Sequence, residues 1–223
     1  MVMRELCQLA GVWDLTSVPA GGCMAEEKID GFRALHFRDW RGRPGLFTRN
    51  GHQIEGVSHI LNKLDIMEQL AGERLMFDGE FQVEGTLAAT KRWCERGWKI
   101  GGDAGTMHLF DVIPEADWRQ GGCDMPLYER KKRLGELIKA AEAVPHAWMW
   151  REGTHGREPD GPAVTMIEDE WAVDAGEALA LARRVWAVHG EGIMLKEATA
   201  PYRRTRSDAW QKVKQTVILQ PHD

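Results

Sequence analysis

Long apolar runs are missing from this chain. No segment approaches the ~18 consecutive apolar residues of a bilayer-crossing helix. The opening MVMRELCQLAGVWD has neither the apolar stretch nor the cleavage signal of a secretory leader. Cysteine is scarce and scattered: Cys7, Cys23, Cys94 and Cys123 form no C-x-x-C pair. That pattern indicates neither a zinc site nor a disulfide framework. A soluble protein of a reducing cytoplasm, without membrane contact, is the expectation. The eight histidines do not cluster, and neither H-E-x-x-H nor G-x-S-x-G occurs. Both nucleotide fingerprints, G-x-x-x-x-G-K-[ST] and G-x-G-x-x-G, are absent, and GGDAG at 101–105 lacks the lysine of a phosphate loop, so it reads as a connector. Repeats and low-complexity tracts are missing too. Positive charge is not in excess: the formal net charge is −5. A polyanionic partner must therefore be held by a local basic patch.

What is present is enough chain, 223 residues, to bury a real core in one large domain. Ten tryptophans stand against two tyrosines, and most are expected in the core or along a groove wall. A short helix is predicted over 4–12. Cys23–Lys28 and Phe32–Arg38 read as strands joined through the Asp30-Gly31 turn, because Asp-Gly favours a tight hairpin reversal. Leu46–Arg49 is a strand ending at Asn50-Gly51, and 57–70 has apolar residues at helical spacing. Leu75–Val83 alternates around a second turn signal, Asp78-Gly79. Helices are predicted near 86–96, over 127–142 and over 176–188, and strands at 107–113, 144–151, 164–167, 192–197 and 209–219. Tight turns between neighbouring strands, interrupted by single helices, predict an α+β fold with mostly antiparallel sheets.

Six short elements could carry chemistry: KIDGFR (28–33), TRNG (48–51), FDGEF (77–81), LFDVIP (109–114), EGIMLK (191–196) and WQKVK (210–214). Singly, each has a plain alternative. Asp78 and Glu80 fit a solvated hairpin edge, Phe110 fits core, and Lys212 with Lys214 fits an exposed edge-strand stripe. In this order they resemble the covalent nucleotidyltransferase superfamily, and within it the ATP-dependent polynucleotide ligases, from about Glu26 to Lys214.

That resemblance implies an α+β nucleotidyltransferase (ATP-grasp-like) domain over 1–215, with antiparallel β-sheets flanked by helices and a nucleotide pocket between them. It implies that Lys28 becomes linked to AMP from ATP and that Glu26 lies on the adenine-specificity side. Arg33 and Arg49 would contact the nucleotide and the nick phosphate, Glu80 the ribose, and Phe110 the adenine ring. Glu191, with Asp78, would hold Mg2+ (or Mn2+), and Lys196, Lys212 and Lys214 would surround the α-phosphate and the departing pyrophosphate. A lysine attacks phosphorus only as the free amine, although its ordinary pKa is ~10.4. Neighbouring cations, a metal or desolvation must expose the neutral form, and the expectation is an uncharged Lys28 inside a ring of positive side chains.

Residues 200–215, APYRRTRSDAWQKVKQ, carry five cations against one acid, a local +4 in a chain of −5. Arg203, Arg204 and Arg206 therefore read as contacts to the backbone of nicked double-stranded DNA. Ligases of this kind continue into an OB-fold domain. Nine residues follow Lys214, with 216–223 read as a tail. The expectation is a monomer with slow self-adenylylation and poor nick sealing, needing an OB-fold domain in cis or in trans. Alternatives are an RNA ligase or mRNA-capping guanylyltransferase, and a catalytically silent nick- or end-binding module.

Overall fold

The computed structural model describes residues 5–19, 21–144 and 161–215. The first half runs β1 (Leu9–Val12), β2 (Cys23–Glu27), β3 (Phe32–Arg38), β4 (Pro44–Thr48), β5 (Gln53–Ile54), α1 (Ser58–Ala71), β6 (Leu75–Gln82) and α2 (Leu87–Arg92). A π-helical turn at Trp93–Gly97 leads into α3 (Trp98–Gly101), β7 (Thr106–Pro114), α4 (Glu115–Gln120), β8 (Gly122–Cys123) and α5 (Leu127–Glu142). Then come β9 (Val164–Met166), β10 (Asp169–Ala172), α6 (Ala175–Ala187), β11 (Gly192–Lys196), β12 (Tyr202–Arg203) and β13 (Arg206–Lys214). Among the described residues no helix is long and apolar enough to cross a membrane.

The described residues fall into two compact units. The first takes the described residues within 1–29, 124–128 and 167–215, the second those within 30–123 and 129–166. The first holds a five-stranded sheet ordered β1-β13-β11-β2-β10, antiparallel except for β1 against β13. Its strands alternate. Cys23, Ala25, Ile193, Leu195 and Val213 pack with Trp13 and with Ala178 and Ala182 of α6. The strand period of two sends their neighbours Met24, Glu26, Met194, Lys196, Trp210, Lys212 and Lys214 to the other face. Asp174 starts α6 by accepting a 2.9 Å bond from the Glu177 amide.

The second unit holds a six-stranded sheet ordered β5-β4-β3-β6-β7-β9, antiparallel except for β7 against β9. Ile60, Leu64 and Met67 from α1, and Leu134, Leu137, Ile138 and Ala141 from α5, join Leu46, Phe77, Phe81 and Leu109 in one core. The GGDAG loop serves as a cap: Asp103 accepts from the His59 amide (3.2 Å) and the Ser58 hydroxyl (3.3 Å) at the start of α1, satisfying donors that a helix leaves open.

Four expectations are corrected. Residues 9–12 of the predicted 4–12 helix form strand β1, paired with β13 from the far end of the chain, a partner invisible to local periodicity. Strands β2 and β3 are not a hairpin, since β2 pairs with β10 and β11 while β3 pairs with β4 and β6. Asp78-Gly79 is no turn: it lies inside β6, at a register shift against β7. Both Asp-Gly pairs use glycine for close backbone approach, because a Cβ on Gly31 would sit 2.5 Å from the Phe81 carbonyl oxygen and one on Gly79 would sit 2.6 Å from that of His108. Finally, β10 was not foreseen. The strand predicted over 144–151 falls, beyond Val144, outside the described residues, as do 216–223.

A buried ion network braces the second unit. Arg38 donates to Glu68 at 2.8 and 2.6 Å and to Glu115 at 3.0 Å, and Glu68 also accepts from the Leu75 amide at 2.8 Å. Burial alone would raise the Glu68 carboxyl, but these bonds overcome it and hold it at about 2, against an ordinary 4.5. A depressed carboxyl contributes stability above its unfolded value and loses it as pH falls through the folded one. The shift corresponds to about 3 kcal/mol. In urea titrations Glu68→Gln is expected to lose about that much at pH 7, and the gap to the wild type should close as pH falls from about 4.5 toward 2. A gap unchanged at low pH would refute this assignment.

Candidate functional site

On the face of the first sheet turned away from α6, antiparallel register sets the candidates side by side. Glu26 lies opposite Met194, and Gly192, Met194 and Lys196 lie opposite Lys214, Lys212 and Trp210. Lys28 follows directly on β2, where its amide donates to the Gly192 carbonyl at 2.9 Å. Its Nζ meets Glu191 Oε2 at 2.5 Å, and Lys214 Nζ pairs with the other oxygen, Oε1. One carboxylate thus joins two lysines from opposite ends of the chain. Burial pushes the Glu191 carboxyl up, but bonds from Lys214 and Lys28 prevail and leave it below the ordinary carboxylate range. A carboxylate of this kind orients an amine and does not store its proton.

The backbone at this point admits only glycine. Gly192 has φ 145°, and a Cβ there would lie 2.0 Å from the Val213 carbonyl oxygen. The close approach of β11 to β13 is what brings Glu191 to Lys214. Further along β11, Lys196 donates to Glu26, and both side chains are within 2% of full burial. Lys196 Nζ also lies 4.4 Å from the centre of the Trp210 ring, which meets Tyr202 edge-on at 6.0 Å. A charge pair so deeply buried is stable only while both members remain.

The expected ring of cations is therefore interleaved with acids. Lys28 and Lys214 share Glu191, Lys196 is held by Glu26, and Lys212 lies on the same face without adding to either pair among the described contacts.

In the second unit, Arg33 on β3 forks onto buried Asp78, Nε to Oδ1 at 2.5 Å and a terminal nitrogen to Oδ2 at 2.6 Å. Its guanidinium carbon lies 4.5 Å from the centre of the Phe110 ring. Glu80 is half-buried on β6 with Arg33 and His108 as its strand neighbours. Arg49 is exposed just past β4. One strand position beyond Phe110, Asp111 pairs with Arg130 of α5 at 2.7 and 2.9 Å, both fully buried. That pair escaped sequence reasoning. The signal was an acid inside the apolar run LFDVIP, which burial forces into partnership.

The basic strip is engaged within the fold. Arg204 donates to the Glu5 carbonyl at 2.8 Å, Arg206 to that of Ala10 at 2.6 Å, and Arg203 pairs with Asp124. The first two hold the segment around β1 in place, which explains why that segment is a strand.

No cluster of three or more His, Cys, Asp or Glu suited to a metal occurs among the described residues. Both oxygens of Asp78 are occupied by Arg33. Both oxygens of Glu191 are likewise taken, by Lys28 and Lys214, so this carboxylate, the donor type that magnesium takes one or two at a time while keeping its waters, could serve a metal only once a lysine has withdrawn.

The family model described as "ATP dependent DNA ligase domain" matches residues 13–214. No curated protein sequence matches the chain. Among solved structures, one named Pmar-Lig_PreS3 is similar with a TM-score of 0.73 at 19% identity, covering 93% of this chain and 46% of its own. The ATP-dependent DNA ligase from bacteriophage T7 in complex with ATP gives 0.71 at 16%, over 93% and 68%. The Chlorella virus DNA ligase-adenylate gives 0.62 at 18%, over 96% and 70%. At such identities the likeness speaks for the fold, and the chain spans 46% of the length of the first of these structures.

Proposed function

This chain belongs to the ATP dependent DNA ligase domain family, and on that premise we propose that it is an adenylating nucleotidyltransferase acting on nicked DNA. Family membership implies the use of ATP. In the proposed first step the lone pair of Lys28 Nζ attacks the α-phosphorus. A phosphorus–nitrogen bond forms, the bond to the β-phosphate oxygen breaks, and pyrophosphate leaves. AMP then passes to the 5′-phosphate of a nick, and the 3′-hydroxyl displaces AMP to seal the strand. The observation that supports this reading best is the Lys28–Glu191–Lys214 arrangement.

The residue roles follow from charge and position. Glu191 holds the Lys28 amine in place. Lys28 must leave that carboxylate and attack as the free amine. Lys214 is already drawn to the same point and, with Lys212, would offset the charge on the phosphate oxygens as pyrophosphate departs. Glu191 is the group that would hold magnesium, which supplies further neutralisation of phosphate charge when bound. The buried Glu26–Lys196 pair would keep that sheet face rigid. Glu80 for the ribose, Phe110 for adenine, Arg33 and Arg49 for phosphate, and Arg203, Arg204 and Arg206 for the DNA backbone are proposed from the sequence resemblance. An OB-fold domain, in cis or in trans, is part of the same proposal.

The test is intact-mass measurement after incubation with magnesium and either ATP or GTP, followed by transfer to nicked DNA or nicked RNA. One added AMP, discharged by nicked DNA, is expected. Labelling by GTP alone would point to a guanylyltransferase, and no adduct with either nucleotide would point to a silent binding module.

A further inference from the structure

The turn between β3 and β4 reads DWRGR, from Asp39 to Arg43, and it is built more tightly than a solvated turn requires. Asp39 Oδ1 accepts from the amides of Arg41 (2.8 Å) and Arg43 (2.9 Å), and Oδ2 accepts from Arg43 Nε at 2.9 Å. The Asp39 amide donates to the Arg43 carbonyl at 2.9 Å, and the Gly42 amide to the Asp39 carbonyl at 3.0 Å. Below the turn, Phe37 stacks on Phe47 at 4.4 Å and packs on Trp118 at 4.6 Å, and Arg119 donates to the Arg38 carbonyl at 2.7 Å. Nothing in this bracing uses the Trp40 side chain, which is 84% exposed. The Arg41 guanidinium lies over its ring, 4.4 Å from the centre, and at 84% exposure most of the side chain stays open to solvent. Among the described residues no carboxylate pairs with Arg41, since Asp39 is taken up by Arg43.

We propose that this hairpin tip is a nucleic-acid contact, in which Trp40 stacks on a base or at a helix break while Arg41 lies against the phosphate backbone. The inference rests on the function proposed above and adds to it a residue pair remote from the six sequence elements. The chemistry fits a nucleic acid: an exposed aromatic ring accepts any base, and an adjacent guanidinium adds cation–π and phosphate attraction. A protein interface sets its aromatic anchor inside a ring of packed contacts, whereas Trp40 stands among Asp39, Arg41, Gly42 and Arg43. Position fits as well. Arg49, the candidate phosphate contact, is at the opposite end of the same hairpin. Four register steps separate Arg38↔Pro44 from Ala34↔Thr48, roughly 14 Å of strand. One DNA strand covers that length in about four nucleotides. A rigid hairpin holding a cation at one end and an aromatic at the other can therefore engage a single bound duplex at two points.

The experiment measures fluorescence anisotropy of a nicked, 5′-phosphorylated duplex titrated with the whole chain across a salt series, for the wild type, Trp40→Ala, Trp40→Phe and Arg41→Ala. Trp40→Ala is expected to weaken binding about tenfold without changing the salt slope, and Trp40→Phe to restore most of it. Arg41→Ala should make the slope shallower by about one. Thermal midpoints should stay together, and ATP labelling of Lys28 should be unaffected in all three variants. Wild-type affinity in Trp40→Ala overturns the inference, as does an absence of wild-type binding at low salt. Sedimentation that shows Trp40→Ala changing self-association, with DNA affinity intact, overturns it in favour of a protein interface. If the wild type takes up no AMP, the reading of Lys28 fails, and the anisotropy result stands or falls separately.

Discussion

Lys28→Ala and Lys28→Arg should both abolish the ATP-dependent mass increase completely, with little change in folding stability. The two substitutions fail for different reasons, and that makes them useful together. Alanine removes the nucleophile and leaves Glu191 paired with Lys214 alone. Lys28 is a quarter exposed, at 24%, and ion pairs in contact with solvent contribute about 0–1 kcal/mol, so the thermal midpoint should barely move. Arginine keeps a cation for Glu191 to hold but stays protonated at any accessible pH. It preserves the electrostatics and lacks a free lone pair for phosphorus. Persistence of the adduct in Lys28→Arg would mean that AMP is carried elsewhere, and the assignment of Lys28 would be lost. Loss of the adduct in alanine with retention of ATP binding, measured by equilibrium dialysis, separates chemistry from affinity.

Gly192→Ala is the second large effect expected, and it strikes fold and site together. The new methyl group would sit 2.0 Å from the Val213 carbonyl oxygen, at a backbone φ of 145°. The obstacle is main chain, which has no rotamer to move aside. β11 must retreat from β13 where Gly192 faces Lys214 and where the Lys28 amide bonds to the Gly192 carbonyl. Both contacts that place Glu191 between the two lysines are disturbed. A destabilisation of about 3 kcal/mol is expected, within the class of strained backbone substitutions, together with a fall of about 10²-fold in the rate of AMP uptake from misplacement on the scale of 1 Å. Gly135→Ala is the control. Gly135 lies in α5, and its added methyl group would meet only Met166 Sδ at 3.5 Å, so stability should hold or rise by up to about 1 kcal/mol. Denaturant titration with single-turnover labelling reads both quantities. Gly192→Ala behaving like Gly135→Ala would show that the β11–β13 approach is not what positions Glu191.

Periodicity carried the regular elements. The stripe in 127–142 matches α5 at both ends, 57–70 differs from α1 by one residue at each end, and Phe32–Arg38 is β3 as expected. Each of these signals is local: a repeat of 3.6 or 2 that the segment's own apolar residues write out. The errors are equally physical. Asp-Gly was read as a reversal, yet Gly31 and Gly79 serve close approach to backbone carried by other strands. Residues 9–12 have no strand signature strong enough to be read alone, because their partner β13 and the arginines that hold the carbonyls of Glu5 and Ala10 lie almost two hundred positions later. Trp40 was one of ten tryptophans, most of which were expected in the core or along a groove wall, and only the tertiary structure sets it on a hairpin tip.

Composition and motif order by themselves determined the fold class, the family and the residues worth suspecting, since those depend on which side chains occur and in what sequence. Tertiary structure decided who pairs with whom. Lys28 and Glu191 are 163 positions apart, and Glu26 and Lys196 are 170 apart. Charges of both signs interleave on that sheet face because strand register brings them within contact distance, and at Lys196 burial leaves little option except a carboxylate. A linear string holds no term for that register, so it could name the lysines and the acids without showing that they hold each other.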